Sequence, residues 1–444
     1  MRTSSLLGHV VELLDLVRGS RQPVDRVVRD FFRGRRYLGA ADRRFVSEYL
    51  YGIVRNLLLL EAYARRGYEQ AWGEDPDRIA AVILCAAYAV RIAGAEGAVL
   101  AEDLAVPWRL AAMKRDLPPL IAALKEADLH LASEPIQRRL SILYSFPEGV
   151  VSEWVERYGA EEAEELCRSL NMPAPTVLRV NRLKTDVASC ARALQAEGIT
   201  AGPGRLVPDA LVLEKRVSVQ TLKAFHRGFF EMQDEGSQAI ALLLEPQPGE
   251  TVVDACAGGG GKTLHCAALM ENRGSIIATD VDEARLGNLA ERVRRAGVTI
   301  ARIVTGDAQN DLIRSMTSRA DRVLVDAPCS GLGTVRRNPG LKALYSDAGS
   351  RAMAQMQIGI LNRYSSLVKP GGRLVYSTCT LLRRENEEVV SAFLATNPQF
   401  TLLSAAEVLR KHAIAGASTD YMTLTPGNAG SDGFFAALLA RASA

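Results

Sequence analysis

A chain of 444 residues, 48% apolar and 24% charged, is too long for one ordinary core and too apolar for disorder, so two or three folded domains are expected. No run reaches the roughly 18 apolar residues of a membrane span. His9, Glu12 and Asp15 break up the apolar stretch that a secretory signal needs, so a cytoplasmic protein is expected.

The formal net charge of +3 is too small to prove a polyanionic partner, but charge is uneven along the chain. Residues 1–60 carry eleven arginines (Arg2, Arg18, Arg21, Arg26, Arg29, Arg33, Arg35, Arg36, Arg43, Arg44 and Arg55) against six carboxylates. A guanidinium fork suits phosphate oxygens, so these residues read either as a phosphate-binding face or as a solvated surface with internal ion pairs. Apolar residues recur at helical spacing in Leu6–Val10–Leu13–Leu14–Val17 and in Phe45–Tyr49–Ile53–Leu57, and the Ala-rich stretch Ile79 to Ala95 continues the pattern. Residues 1–140 are therefore expected to form an all-α domain.

Ser145-Phe146-Pro147 and Pro173-Ala174-Pro175 punctuate the chain and open a different region. An amphipathic helix is predicted over Val151 to Leu170, a strand over Thr176 to Val180, a helix from Val187 to Glu197 stopped by Gly198, and a strand over Ala210 to Glu214. Residues 145–235 thus read as a small α+β domain, of RRM- or ferredoxin-like type.

Residues 236–444 follow a clearer grammar. Strands are predicted at Thr251–Cys256, Ser275–Asp280, Ala301–Thr305, Arg322–Ala327 and Arg373–Cys379, with helices to Asn272, to Ala296 and through Leu367 between them. Near-continuous apolar strands separated by helices imply a parallel sheet covered on both faces, a Rossmann-like α/β domain. Its functional residues should lie at the C-terminal strand ends.

The first of these ends reads Asp254-Ala255-Cys256-Ala257-Gly258-Gly259-Gly260-Gly261-Lys262-Thr263. A glycine-rich loop between strand and helix admits a ligand close to the backbone, and three ligands compete for it. A nucleoside triphosphate needs a glycine where Cys256 stands, and a dinucleotide needs one where Thr263 stands. S-adenosyl-L-methionine, lacking phosphate, asks instead for carboxylates on the following strands. Asp280 closes the second strand, suited to ribose hydroxyls, and Asp307 follows the third, suited to an adenine amino group. The competing reading makes both aspartates helix N-caps. The expected cofactor shell is Cys256, Ala257, Gly258, Gly259, Gly260, Gly261, Lys262, Asp280, Asp307 and Asp326.

Seven cysteines (85, 167, 190, 256, 266, 329 and 379) form an odd, scattered set without a CxxC or Cys/His cluster. Neither a disulfide framework nor a metal site is expected, and any cysteine that matters acts as an individual thiol. Two of them sit just past strand ends, in Asp326-Ala327-Pro328-Cys329-Ser330 and Tyr376-Ser377-Thr378-Cys379-Thr380.

The segments DACAGGGGKT, DAPCSGLGTVRRNP and YSTCTLLRRENEEVV closely resemble the signature motifs of the NOL/NOP/Sun family of RNA cytosine-5 methyltransferases. FFEMQDEGSQ from Phe229 and the terminal Asp432-Gly433-Phe434-Phe435 extend the resemblance. Ala41-Asp42-Arg43-Arg44-Phe45 and the stretch Leu50 to Asn56 look like a NusB-type RNA-binding domain, a combination similar to the bacterial Sun/RsmB branch that methylates 16S rRNA. The resemblance implies a covalent nucleophile at Cys379, assistance in proton removal and product release at Cys329, and contact with cofactor and target base at Asp326. A free thiol, with a pKa of about 8.5, is only a few per cent ionised at neutral pH, so the pocket must help Cys379.

The chain departs from the family pattern at several positions. Gly258-Gly259 replace Ala-Pro, Asn338 and Gly340 replace His and Asp, and Arg383-Arg384 stand where Pro and Glu are common. The partner expected is RNA, 16S rRNA or an assembling small subunit, and a monomer is expected. The same chemistry on tRNA, or a non-catalytic RNA-binding assembly factor, are the alternatives. Arg336, Arg337, Arg179, Arg182 and Lys184 are candidate RNA contacts.

Overall fold

The computed structural model describes residues 2–20, 22–95, 103, 117–414 and 420–443, so Arg21 of the arginine set lies outside the described residues. The chain divides into two compact units. One comprises Met1–Asn171 with Arg337–Tyr345, the other Met172–Arg336 with Ser346–Ala444.

The described part of the first unit is helical. Helices Thr3–Arg18, Ala40–Arg55, Leu57–Trp72, Ala81–Arg91 and Leu117–Glu126 enclose a core that includes Leu6, Val10, Leu13, Leu50, Ile53 and Ile83. The predicted single helix over Val151 to Leu170 is instead two, Glu148–Tyr158 and Ala160–Asn171. Gly159 parts them at φ 84° and ψ 170°, a conformation that costs glycine little and other residues much.

The segment Arg337–Tyr345 packs within this helical unit. Lys342 Nζ donates to the carbonyls of Arg55 (2.6 Å) and Tyr144 (2.9 Å) and to Asn171 Oδ1 (2.9 Å), and lies 4.4 Å from the Phe146 ring centroid. Burial, reinforced by the Arg55 charge, holds its ammonium well below the ordinary lysine pKa. A Cβ at Gly340 would meet Val24 Cγ2 at 2.3 Å, a physical reason for glycine where an aspartate is more usual.

In the second unit, strands β1 (Thr176–Val180), β2 (Ala201–Pro203), β3 (Ala210–Leu213) and β4 (Phe230–Met232) form an antiparallel sheet in the order β2-β3-β1-β4. Strands β2 and β4 were not expected from the sequence, being three residues each and too short to show alternation. Arg179, expected to grip RNA, points inward instead. It is 2% exposed and donates to the carbonyl of Gly261 at 2.9 Å.

The larger sheet contains β5 (Thr251–Ala255), β6 (Ser275–Asp280), β7 (Ala301–Thr305), β8 (Ala320–Asp326), β9 (Val368–Thr378), β10 (Phe400–Leu403), β11 (Tyr421–Leu424) and β12 (Phe434–Arg441). Its parallel part runs β7-β6-β5-β8-β9, and the chain reverses direction of travel between β5 and β8, the place where such sheets bind ligands. The sheet is mixed, not purely parallel as expected. Strand β12 enters antiparallel beside β9, with β10 and β11 antiparallel to it. The helices Asp347–Ser365 and Glu387–Thr396 pack on one another, with Leu361, Tyr364 and Phe393 in a core under β8 and β9. Among the described residues no helix is long and apolar enough to cross a membrane.

Candidate active site

The register of the large sheet lines up its C-terminal ends. Ala255 pairs with Thr279 on one side and Val325 on the other, and Asp326 pairs with Ser377. Cys256 is thereby flanked by Asp280 and Asp326. Burial first, then the charges of Asp280, Asp326 and Asp254, push its thiol up to about 12. It stays neutral and lends the loop shape, held at φ 61° where a side chain is disfavoured.

The glycine loop turns sharply over this point. Gly258 has φ 53° and donates its N–H to Asp280 Oδ2 at 2.9 Å, while Asp280 Oδ1 accepts from Asp282 N–H at the same distance. Gly260, at φ 79°, passes so close to Leu289 that a Cβ would lie 2.0 Å from Cδ1. Two arginines brace the loop from behind. Arg292 donates to the carbonyl of Gly259 at 2.5 Å and Arg179 to that of Gly261. Glu231 of β4 holds Arg292 at 3.0 Å and Arg295 at 2.6 Å, joining the small sheet to the loop. Sequence reasoning missed these braces, since nothing local marks an arginine whose acceptor is a distant carbonyl.

Lys262 Nζ lies 2.6 Å from Asp326 Oδ2, and Ser377 Oγ donates to Asp326 Oδ1 at 2.9 Å. Burial would lower the Lys262 pKa, but the charge and hydrogen bond of Asp326, with Cys379 and Asp254 nearby, outweigh it and raise the pKa. Lys262 is a cation held by Asp326 within electrostatic reach of Cys379. Asp307 stands past β7, its Oδ1 accepting from Gln309 N–H at 3.0 Å.

Cys329 and Cys379 meet, Sγ to Sγ, at 3.4 Å. Both are half-buried, whereas Cys85, Cys167, Cys190 and Cys266 are fully buried. The hydrogen bond with Cys379, then burial, then the charges of Cys379 and Glu385 hold the Cys329 thiol well above its ordinary range. Either sulfur can donate to the other, and the contact holds the two thiols side by side. Three loops knit around them. Gly333 N–H donates to the Cys379 carbonyl (2.9 Å), and Gly433 N–H donates to the Gly333 carbonyl (2.8 Å). A Cβ on Gly333 would strike the Gly433 carbonyl at 2.1 Å, so these two glycines are required by close approach.

Arg336 does not face a ligand as expected. It is 7% exposed and donates to the carbonyls of Met172, Pro173, Gly430 and Ser431 at 3.2–3.4 Å. Four carbonyls and the Asp432 carboxylate at 4.0 Å make it an internal staple. Arg337 beside it is exposed.

Comparison with known proteins matches residues 241–440 to the family model for the 16S rRNA methyltransferase RsmB/F, and residues 146–220 to the ferredoxin-like domain of RsmF/B-like methyltransferases. A probable ribosomal RNA small subunit methyltransferase B of Bacillus subtilis is 40% identical over 305 residues, 68% of each chain. The chain belongs to the RsmB/F family. A second relative of this family, from Synechocystis, is 31% identical over 91% of this chain and 92% of its own, and is likewise a probable ribosomal RNA small subunit methyltransferase B. The crystal structure of PH0851 superposes with a TM-score of 0.78 at 27% identity, over 99% of both chains. That of NSun6 from Pyrococcus horikoshii with SFG gives 0.59 at 24% identity, over 67% of this chain and 99% of that one. The ferredoxin-like domain and the Rossmann-like catalytic fold, with its mixed sheet, are thus shared with known relatives.

Proposed function

We propose that this RsmB/F-family chain transfers a methyl group from S-adenosyl-L-methionine to carbon 5 of a cytosine in 16S rRNA, through a covalent bond between Cys379 and the base. The observation that carries this reading is the thiol pair. Two sulfurs 3.4 Å apart stand at adjacent strand ends, beside the Lys262–Asp326 ion pair.

The residues present fit the cofactor. At Gly258 the left-handed turn leaves no atom closer than 3.9 Å to a Cβ position, Asp280 keeps lone pairs for ribose hydroxyls, and Val281, 75% exposed, offers an apolar surface next to it. When bound, S-adenosyl-L-methionine supplies an electrophilic methyl group. Asp307 serves the adenine amino group, and Cys256 to Lys262 line the remaining wall.

Carbon 5 of cytosine is too weak a nucleophile to take that methyl unaided. Addition of Cys379 Sγ to carbon 6 forms an S–C6 bond and pushes the C5–C6 electrons toward carbon 5. Lys262 and Asp326 face the base, where the ammonium offsets charge gathering on the ring. After methylation a base takes the carbon 5 proton, the electrons of that C–H bond re-form the C5–C6 double bond, and the S–C6 bond breaks with its electron pair returning to Cys379 Sγ. Cys329 assists the proton removal and the release of product. The target base must leave its stack to reach Cys379.

In this reading residues 1–140 form a NusB-like RNA-binding domain, residues 145–235 a second RNA-binding module, and residues 236–444 the catalytic domain. Exposed Arg26, Arg29, Arg36 and Arg44, with Tyr37 65% exposed among them, support phosphate contact by the first. The test is a denaturing gel with the cognate rRNA and cofactor. Cys379→Ala should abolish methyl transfer and any protein–RNA adduct, while Cys329→Ala should accumulate the adduct. An adduct trapped in Cys379→Ala but not in Cys329→Ala reverses the assignment.

A further inference from the structure

Glu385 and Asn386 are buried, adjacent in sequence, and have no part in the chemistry above. Each one holds the chain around a different cysteine, Asn386 directly on both sides and Glu385 directly on one side and through Gln357 on the other. Glu385 Oε2 accepts from Ser330 N–H at 2.8 Å and from Gln357 Nε2 at 3.1 Å, and the same Gln357 amide donates to the Pro328 carbonyl at 2.9 Å. Pro328 and Ser330 bracket Cys329. Glu385 Oε1 is fixed by Ser350 Oγ at 2.8 Å, and its carbonyl accepts from Tyr376 OH at 2.6 Å.

Asn386 does the same for the other thiol. Its Oδ1 accepts from Thr378 Oγ1 at 2.6 Å and its Nδ2 donates to the Thr380 carbonyl at 3.0 Å. Thr378 and Thr380 bracket Cys379. A side-chain bond from Ser330 Oγ to Thr380 Oγ1 at 2.9 Å joins the two loops beside the thiol contact and the Gly333 N–H to Cys379 carbonyl bond.

We propose that Glu385 and Asn386 are a positioning pair for the two thiols, Glu385 setting Cys329 for release and Asn386 setting Cys379 for attack. A buried carboxylate carrying three side-chain or backbone donors is costly to keep for packing alone, and charge-assisted bonds hold a loop more tightly than neutral ones. The pair has one backbone origin, so the loops are set relative to each other as well as to the sheet.

The assignment of attack and release rests on the proposed covalent mechanism, and the experiment separates the two ideas. Full-length variants are mixed with rRNA and cofactor, and adduct formation and product release are timed in a single turnover. Asn386→Ala should slow adduct formation several-fold and leave release from the adduct unchanged. Glu385→Gln should form the adduct normally and release it several-fold more slowly. A role in folding alone predicts a lower melting temperature with both steps reduced in proportion to the folded fraction, and that result overturns the pair. Cys379→Ala and Cys329→Ala run alongside: if they do not lose and accumulate the adduct, it is the covalent mechanism that fails.

A second readout needs no activity. Diamide, taking two electrons and two protons from the thiols, should join Cys329 to Cys379 quickly in the parent chain and several-fold more slowly in either variant. Unchanged disulfide formation in both variants overturns the proposal whatever becomes of the mechanism. Should a variant not fold, Thr378→Val and Ser350→Ala each remove one bond from the respective half and should show the same split in milder form; parent behaviour in both also overturns it.

Discussion

Asp254 lies one residue before the end of β5, with one carboxylate oxygen accepting from Thr263 Oγ1 at 2.5 Å and the other buried with no hydrogen-bond partner among the described residues. Burial is the main force on it, with the Asp326 charge adding and the Thr263 bond opposing, and the result is a pKa of about 7. That lies above the ordinary 3.8, so the native chain keeps a proton that the unfolded chain gives up. Stability from this group is fully present below about pH 4 and is lost as pH rises through about 7. Melting curves from pH 4 to 8 should show Asp254→Asn gaining on the parent as pH rises; parallel curves would mean the group is solvated. Gly258 offers a second residue-scale test. A Cβ there meets no atom closer than 3.9 Å, so Gly258→Ala should cost only the left-handed backbone penalty, about 1–2 kcal/mol in urea unfolding. The freedom that glycine brings to this loop is a relief of strain at φ 53°.

Between elements, the strongest device is the carboxylate of Glu231 in β4, which holds Arg292 and Arg295 of the helix Glu283–Ala296. Its side chain is 3% exposed while the arginines keep 23% and 19%, so removing it strands two poorly hydrated cations. Glu231→Ala should destabilise by about 3–5 kcal/mol in chemical denaturation. Calorimetry should also show weaker cofactor binding, because Arg292 would no longer be aimed at the Gly259 carbonyl. An unaltered affinity would mean that the loop holds its own shape. This brace shows where sequence reading stops. The strand ends that bring Asp280, Asp326, Cys329 and Cys379 to one edge of the sheet were legible, because alternating apolar strands and helices leave few topologies. The fates of Arg179 and Arg336 were not, because an arginine bonded to carbonyls many residues away has the same local sequence as one in solvent. Strand β12 was equally hidden, since its pairing with β9 joins Phe435 to Thr378 across more than 50 residues. Glu385 and Asn386 lie in a family motif, yet only the fold reveals that neighbours in sequence serve different loops.

For the whole molecule, the arginine surplus divides once packing is known. Arg18, Arg35 and Arg43 are spent on the carbonyl of Ile79, on Glu12 and on the carbonyl of Leu38, while Arg26, Arg29, Arg36 and Arg44 are exposed. Replacing these four with serine should leave the fold intact and lower the log–log salt slope of RNA binding by about 0.9 for each duplex phosphate that is no longer neutralised. A slope equal to the parent's would make them solvating residues only. The segment Arg337–Tyr345 bears on how the protein is made. The first unit is discontinuous in sequence, and Lys342 completes it by satisfying Arg55, Tyr144 and Asn171. At roughly 5–20 residues per second a ribosome needs on the order of 10–30 seconds to travel from Asn171 to Lys342. Through that interval the Arg55 carbonyl, the Tyr144 carbonyl and Asn171 Oδ1 lack the Lys342 donor, and only the Asn171 Nδ2 bond to Tyr144 is in place among these groups. The helical unit therefore reaches its final form only after β5 to β8, half the strands of the Rossmann-like sheet, have been synthesised, and a chain stalled before Lys342 should show protease-sensitive helices that the finished protein protects.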